Sequence, residues 1–155
     1  MSGPHFSLPL TVRFQHCDPA GIVFFPRYYE MANLAVERFF EEVVGRSFHQ
    51  LHLVERTSVP TVAIETEFAA VSRLEDRLTL DLAVERFGRS SVTVSIRCRG
   101  ADDEMRFRST HTLVAVDMET TTSRPWPDAV AARFASLVAP SQSPTSQSRT
   151  PESSA

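Results

Sequence analysis

The sequence predicts an α+β domain in which one long helix packs against an antiparallel sheet of about five strands. Three observations support this prediction. A strand-like run near the amino terminus is followed by an apolar stripe with helical spacing. Four later runs alternate apolar and polar residues with a period of two, as half-buried strands do. Short turns join the later runs, which favours antiparallel neighbours.

The first strand is predicted from Leu8 to Phe14, where apolar and polar side chains alternate. From Pro26 to about Val44 the apolar positions recur every three or four residues, and Gly45 is a stop signal. The stripe is wide, so the helix should be buried on much of its circumference. Its members are Tyr28, Met31, Ala32, Ala35, Val36, Phe39, Phe40 and Val43. A second, short helical turn is expected from Ser47 to Glu55.

The four later runs begin near Val62, Arg77, Val92 and Met105, and the last one continues irregularly to Met118. Gly88 and the Gly100-Ala-Asp-Asp segment supply turn residues between them. One face of such a sheet is apolar and must be covered. Because the chain offers only one long helix, we expect the sheet to curve around it.

The chain has 155 residues, enough for one domain with a real core. After Pro125 and Pro127, a short helix is predicted from Asp128 to Val138. Residues 139–155 are rich in Ser, Pro, Thr and Gln, so they cannot bury enough apolar surface to offset the entropy of ordering. We therefore expect a folded domain over 1–138 and a disordered tail that is dispensable for the chemistry.

The composition argues against several classes of protein. A net charge of −3 gives no broad basis for binding nucleic acid. No run approaches the roughly 18 to 20 apolar residues of a membrane span, and Met1 to Pro9 lacks the pattern of a signal peptide. Cys17 and Cys98 cannot build a disulfide framework. We expect a cytoplasmic protein with no membrane or nucleic-acid partner.

The segment from His16 to Glu30 carries most of the chemical information. It reads His-Cys-Asp-Pro-Ala-Gly-Ile-Val-Phe-Phe-Pro-Arg-Tyr-Tyr-Glu and places Asp18 in a turn that leads into the helix. Pro19 and Gly21 favour the turn, and Pro26 suits the first helical position. Free N–H groups at a helix start can bind an oxyanion. A carboxylate beside such a site is suited to attack an acyl carbonyl, because the oxyanion that forms would be stabilised. The alternative is that Asp18 only caps backbone groups.

This segment resembles the signature of the 4-hydroxybenzoyl-CoA thioesterase family, whose members have the hotdog fold, a curved antiparallel sheet around one central helix. The family's Asp-Pro-Ala-Gly-Ile-Val core matches Asp18 to Val23. The resemblance is strongest from His16 to Tyr29 and extends more weakly to about Asp117. It implies hydrolysis of an aryl-CoA to free acid and CoA. Asp18 would be the nucleophile or general base, and the backbone N–H of Phe25 would polarise the carbonyl.

The predicted substrate-binding residues include a glycine turn, an apolar wall and one polar helix position. Arg89 and the two serines after it offer hydrogen bonds to the phosphates or pantetheine of CoA, the alternative being a solvated hairpin turn. In the resembled family this turn is rich in basic residues, and Gly88 and Ser90 replace two of them. Asn33 stands where the hydroxybenzoyl enzyme of the family has Asp. The predicted set is Gly21, Phe24, Asn33, Phe48, Pro60, Thr61, Arg89, Ser90 and Ser91.

Other readings of the histidines and cysteines are weaker. His16 and Cys17 suggest a Cys–His pair, but adjacent residues in an extended chain point to opposite sides. His49 and His52 near Glu55 suggest a metal site only loosely, and exposed helix positions explain them as well. His111 is expected at a surface or an interface. No metal or organic cofactor is implied, since CoA belongs to the substrate.

Several questions of function stay open at this stage. The acyl group could be hydroxybenzoyl, benzoyl, aminobenzoyl, another aryl group or a short acyl chain. A thioesterase acting on acyl carrier protein, or an acyl-CoA-binding module without turnover, would keep the same fold. A hotdog dehydratase is less consistent with the sequence, because no suitable His and carboxylate motif stands out. The resemblance implies a homodimer, with a homotetramer as the family expectation.

Overall fold

The computed structural model describes residues 3–138. The strands of this part are β1 (Phe6–Thr11), β2 (Thr57–Ser58), β3 (Thr61–Phe68), β4 (Arg77–Phe87), β5 (Ser91–Gly100), β6 (Met105–Val114) and β7 (Val116–Asp117). The α-helices are α1 (Pro26–Phe39) and α2 (Asp128–Leu137). Neither of these helices is long and apolar enough to cross a membrane. The predicted tail over 139–155 lies outside the described residues.

Five strands form one antiparallel sheet in the order β1-β4-β5-β6-β3, and β2 pairs with β7 separately. The register joins residues into rows that share one face of the sheet. One such row crosses all five strands and consists of Leu8, Leu80, Cys98, Phe107 and Phe68. The first four are buried, whereas Phe68 on the edge strand β3 is 46% exposed. The inner face of the sheet is therefore covered from β1 to β6 but not fully at β3.

Helix α1 supplies that cover. Its buried side chains are Tyr28, Met31, Ala32, Ala35, Val36 and Phe39, and the Tyr28 ring centroid lies 4.9 Å from that of Phe107 on the sheet. The chain then continues as a π-helical turn, Phe40–Val44, which ends at Gly45 with φ of 80°. The helical segment predicted from Pro26 to Val44 is thus confirmed in extent, but its last turn is wider than an α-helix.

Helix α2 closes one end of the domain. Its Phe134 packs against Trp126, Phe87 and Phe40, with ring centroids 5.2, 5.7 and 6.0 Å away. This aromatic cluster covers the end of β4, where α1 has already passed into its π-helical turn. The short helix predicted from Asp128 is confirmed, and the α+β class with one sheet against one long helix is confirmed with it.

Two strand boundaries differ from the prediction. The first strand stops at Thr11, and the chain forms a 3-10 turn over Phe14–His16 that leaves Phe14 86% exposed. The turn forms because the His16 Nδ1 accepts a hydrogen bond from the Arg13 N–H at 2.8 Å. The last run breaks after Val114, and its end turns away to pair with β2. The turn expected over Ser47 to Glu55 is π-helical at Gln50–Val54.

The inner face of β6 carries two buried polar side chains that the alternation of the strand did not reveal. His111 is only 4% exposed and Ser109 only 5%, and the His111 Nε2 lies 2.8 Å from the Ser109 Oγ. A surface location for His111 is therefore wrong. Burial away from water lowers the pKa of His111 below its ordinary value of 6.5.

This burial makes the stability of the fold depend on pH. The unfolded chain protonates His111 near its ordinary pKa of about 6.5, whereas the folded chain takes up that proton only at lower pH. The contribution of neutral His111 to the free energy of unfolding is therefore fully present above about pH 6.5. It is lost as the pH falls towards the lowered pKa. We expect the free energy of unfolding of wild type to fall between pH 7.5 and 5.

Urea denaturation of His111→Gln should show less of this fall than wild type. His49→Gln replaces an exposed histidine and serves as the matched control for removing an imidazole. Identical pH profiles for wild type and His111→Gln would contradict the prediction.

Candidate active site

Asp18 lies in a turn that is closed by three backbone hydrogen bonds and held by its own side chain. The Asp18 N–H donates to the Ile22 carbonyl at 3.0 Å, and the Gly21 N–H donates to the Asp18 carbonyl at 2.9 Å. The Phe24 N–H donates to the His16 carbonyl at 2.9 Å. Gly21 has a φ of 79°, a backbone conformation that favours glycine.

One carboxylate oxygen of Asp18 has a structural partner. Its Oδ1 accepts a hydrogen bond from the Ala20 N–H at 2.9 Å, which is the capping interaction of an Asx turn. Within residues 3–138 the other oxygen, Oδ2, accepts no hydrogen bond. Capping and chemistry are therefore compatible, because one oxygen orients the half-buried carboxylate and the other is available to react.

Helix α1 begins directly beside this turn. Phe25 is its N-cap and Pro26 is its first residue, which has no N–H to donate. The Phe25 carbonyl accepts from the Tyr28 N–H at 3.0 Å, whereas the Phe25 N–H makes no hydrogen bond within the described part of the chain. A free N–H at the positive end of a helix is suited to stabilise a developing oxyanion.

An apolar hollow of about 290 Å³ lies against this helix start. Its lining residues are Ile22, Val23, Phe25, Tyr28, Phe68, Ala69, Ala70 and Val71. The ring centroid of Phe68 is 6.1 Å from both Phe25 and Tyr28. This volume is at the lower end of the range for small-molecule pockets and is suited to a ring-sized apolar group.

The predicted CoA-binding turn lies at the other end of the sheet. It is the β4–β5 hairpin, closed by a hydrogen bond of 2.8 Å from the Gly88 N–H to the Ser91 carbonyl. The Ser90 carbonyl accepts from the Ala115 N–H at 2.7 Å, and the Pro60 carbonyl accepts from the Val114 N–H at 3.1 Å. Thr61 begins β3 next to Pro60, so Pro60, Thr61 and the hairpin form one neighbourhood.

The candidate residues therefore fall into two groups within one chain. Thr11, just before the Asp18 turn, pairs with Arg77 at the start of β4, whereas the Arg89 hairpin follows Phe87 at its end. At about 3.3 Å per residue, β4 separates the groups by roughly 30 Å. Asp18, Gly21, Phe24 and Phe25 form the first group. Phe48, Pro60, Thr61, Arg89, Ser90 and Ser91 lie towards the other end, and Asn33 is exposed near the middle of α1.

The structure does not support a shared proton between His16 and Cys17. The His16 Nδ1 accepts from the Arg13 N–H, and the Cys17 Sγ is 3.7 Å from the Arg13 carbonyl. Burial lowers the pKa of His16, and the charge of Arg27 lowers it further. Within residues 3–138 no group of three or more His, Cys, Asp or Glu side chains has the geometry to hold a metal ion.

Two residues beside the Asp18 turn were not identified from the sequence. Phe68 contributes the wall opposite Phe25, and the buried Ser72 binds the turn through its backbone carbonyl, which accepts from the Val23 N–H at 2.8 Å. The alternation of β3 placed Phe68 on a face but did not place that face next to Asp18. Nothing in the sequence around Ser72 signals its contact, which depends on how the β3–β4 connection folds back.

A family model and a characterised relative both place this chain among the thioesterases. Residues 12–134 match the model of the thioesterase-like superfamily. A 4-hydroxybenzoyl-CoA thioesterase from Pseudomonas sp. (strain CBS-3) is 30% identical over 104 residues, which cover 63% of this chain and 73% of that protein.

Solved structures extend the likeness to the fold. A 1,4-dihydroxy-2-naphthoyl-CoA thioesterase from Synechocystis superposes with a TM-score of 0.79 at 20% identity, covering 85% of this chain and 96% of that one. A Staphylococcus aureus protein in complex with CoA gives 0.79 at 16% identity, covering 85% and 82%. A gentisyl-coenzyme A thioesterase gives 0.74 at 20% identity, covering 81% and 99%.

These likenesses confirm the predicted hotdog fold and the predicted enzyme class, a thioester hydrolase. The match covers both groups of candidate residues, from just before the Asp18 turn to helix α2. The chain belongs to the thioesterase-like superfamily.

Proposed function

We propose that this protein hydrolyses an aryl-CoA thioester to a free carboxylic acid and CoA, with Asp18 as the catalytic carboxylate. One observation supports this proposal most directly. A carboxylate with one unbonded oxygen and the unbonded N–H of Phe25 are presented by neighbouring parts of one turn, beside an apolar hollow. These are the parts that acyl transfer requires.

Two chemical routes use these groups. In the first, Asp18 Oδ2 attacks the acyl carbon, the C–S bond breaks, and CoA leaves as a thiolate that takes up a proton. Water then hydrolyses the resulting mixed anhydride and restores the carboxylate. In the second, Asp18 removes a proton from a water molecule that attacks the same carbon. The C–S bond then breaks, and the CoA thiolate takes up the proton from Asp18, which restores the carboxylate. In either route the Phe25 N–H and the start of α1 stabilise the oxyanion.

The walls of the hollow and the similarity to aryl-CoA thioesterases support the choice of an aryl substrate. Phe25, Phe68 and Tyr28 offer ring faces and edges on which an aromatic acyl group packs favourably. The Pseudomonas relative is a 4-hydroxybenzoyl-CoA thioesterase. By likeness, 4-hydroxybenzoyl-CoA is the first substrate to examine. The polar contact to a ring hydroxyl would differ here if Asn33 takes the place of the family's Asp.

The site is completed, in this proposal, by a second copy of the chain. β3 is an edge strand of the five-stranded sheet, and its Val62 and Ile64 are 59% and 46% exposed. Pairing two copies of β3 about a two-fold axis would pair the free backbone groups of this edge and extend the sheet. Because the pairing is antiparallel, the Thr61 end of one copy would lie near the Phe68 end of the other. The partner subunit's Arg89 hairpin could then reach CoA bound at this chain's Asp18.

We also propose a homotetramer, from the family resemblance, and a cytoplasmic location, from the composition. We likewise propose that no cofactor is needed.

The assignment of Asp18 is tested by thiol release from a panel of thioesters. The panel contains 4-hydroxybenzoyl-, 3-hydroxybenzoyl- and benzoyl-CoA and a medium-chain fatty acyl-CoA. We expect turnover selective for the aryl substrates, and Asp18→Asn should lower kcat by about two to four orders of magnitude, because the amide is neither a nucleophile nor a base. Asp103→Asn, in the exposed turn between β5 and β6, is the matched control and should keep the rate of wild type.

Equal rates for wild type and Asp18→Asn would place the chemistry elsewhere. A folded wild-type protein with no turnover on any panel member would instead favour a carrier-protein substrate or a binding module.

The shared site is tested by mixing two defective variants. Arg89→Glu should raise KM for the aryl-CoA, because it reverses the charge offered to the phosphates. If each site combines one chain's Asp18 with the partner subunit's Arg89, dimers of Asp18→Asn with Arg89→Glu contain one intact site. With equal amounts and random exchange of subunits, about a quarter of all sites are then intact. At substrate concentrations well below the raised KM, that fraction of wild-type activity should return.

Each variant measured alone is the control for this mixing experiment. No recovery after verified subunit exchange would contradict a site shared between chains. An unchanged KM for Arg89→Glu would contradict the role given to the hairpin.

A further inference from the structure

Ser72 lies in the connection between β3 and β4 and is completely buried. Its backbone carbonyl accepts a hydrogen bond from the Val23 N–H at 2.8 Å. Its side-chain Oγ accepts a second one from the Tyr28 hydroxyl, also buried, at 2.7 Å. This single residue therefore binds both ends of segment 23–28, which contains the free N–H of Phe25.

The middle of that segment has few other anchors. The side chains of Phe24 and Phe25 are 47% and 56% exposed, and Pro26 has no N–H. The Phe24 N–H bonds to His16 and the Arg27 N–H bonds to Phe24, so these contacts stay within the turn and the first turn of α1. The position of the Phe25 N–H relative to the sheet thus depends on Val23 and Tyr28.

The hydrogen bond between the Tyr28 and Ser72 hydroxyls restrains the Tyr28 ring more tightly than its ring contacts do. The Tyr28 ring lies among Phe107 and Phe68, with centroids 4.9 and 6.1 Å away, and such ring contacts tolerate sliding. A hydrogen bond between two buried hydroxyls fixes both a distance and an angle. Burial raises the pKa of Tyr28, so its hydroxyl keeps the proton that it donates to Ser72.

Ser72 is itself held by the sheet. The Ala69 and Ala70 N–H groups donate to the Arg106 carbonyl on β6 at 2.9 and 3.2 Å. The Arg106 Nη1 donates to the Val71 carbonyl at 2.5 Å. The connection before Ser72 is therefore hydrogen-bonded to β6. Ser72 in turn is hydrogen-bonded to the segment at the helix start, so it links that segment to the sheet.

We infer that Ser72, acting through Tyr28, is a positioning residue that holds the Phe25 N–H in register with the Asp18 carboxylate. The inference rests on the proposed function, because it concerns the same oxyanion donor. A displacement of about 1 Å at such a donor is enough to lower a rate by roughly a hundredfold. Neither side chain needs to touch the substrate for this role.

The test compares Ser72→Ala, Tyr28→Phe and the double variant with wild type. For each protein we would measure kcat and KM on the best aryl-CoA, stability in urea, and the amide signal of Phe25 by NMR. Thr93→Val is the matched control, because it removes a buried hydroxyl that pairs with the half-buried hydroxyl of Thr112. Thr93 alternates with the inward-facing Val92 and Val94, so it lies on the sheet face away from α1.

Each single variant should lower kcat about 10- to 100-fold and change KM by less than about threefold. The double variant should have the kcat of the singles, because all three lose the same bond. Its stability should exceed that of at least one single variant, because it leaves no buried hydroxyl without a partner. The Phe25 amide signal should shift or broaden in these variants and not in Thr93→Val, which should keep the kcat of wild type.

A double variant with wild-type kcat and an unchanged Phe25 signal would overturn the inference. So would a loss of kcat that follows stability alone and appears equally in Thr93→Val. If wild type turns over no acyl-CoA, the proposed function fails, and the Phe25 signal by itself decides whether Ser72 sets the position of that N–H.

Discussion

Burial of the apolar stripe of α1 against the inner face of the sheet sets the position of everything else in this domain. Ala32, Ala35 and Phe39 are fully buried, and the two alanines allow the helix backbone to approach the strands closely. Once the helix axis is fixed, its first turn must emerge near Phe68 and the β3–β4 connection. The free N–H of Phe25 and the hollow beside it are thus consequences of packing in the core, several residues away from the reacting groups.

The helix and the Asp18 turn could be predicted because their determinants are local. The spacing of apolar residues defines α1, and Gly21 and Pro26 define the turn and the helix start without help from the rest of the chain. Residues that depend on long-range pairing could not be found in this way. Ser72 has its role only because its connection folds back on Val23, and His111 is buried only because β6 pairs with strands on both sides and its inner face is covered. Local propensity also concealed the break after Val114, since residues on both sides of it favour strands.

The separation of the candidate residues shows what a motif can and cannot convey. Residues close in sequence, such as Asp18 and Phe25, belong to one turn and the helix start that follows it. Arg89 and Pro60 were grouped with them by resemblance, yet in a single chain they lie at the far end of β4. In an antiparallel sheet, consecutive turns lie at opposite ends of the strands. A site that uses residues from both ends therefore requires either a long ligand or two chains. The extended shape of CoA and the uncovered strand β3 are consistent with both.

The open edge of β3 also bears on the solubility of the newly made chain. Its unpaired backbone groups and its exposed Val62, Ile64 and Phe68 form a template to which another extended segment can add. Glu65 and Glu67 alternate with these apolar side chains, and Glu67 forms an ion pair with Arg108 on β6. Charged side chains at these positions oppose the stacking of identical strands in register. This strand therefore combines the surface most open to association with residues that resist unlimited aggregation. Substitutions that neutralise the two glutamates would break only the exposed Glu67–Arg108 ion pair, which contributes little to stability, yet they would favour fibrous or amorphous deposits.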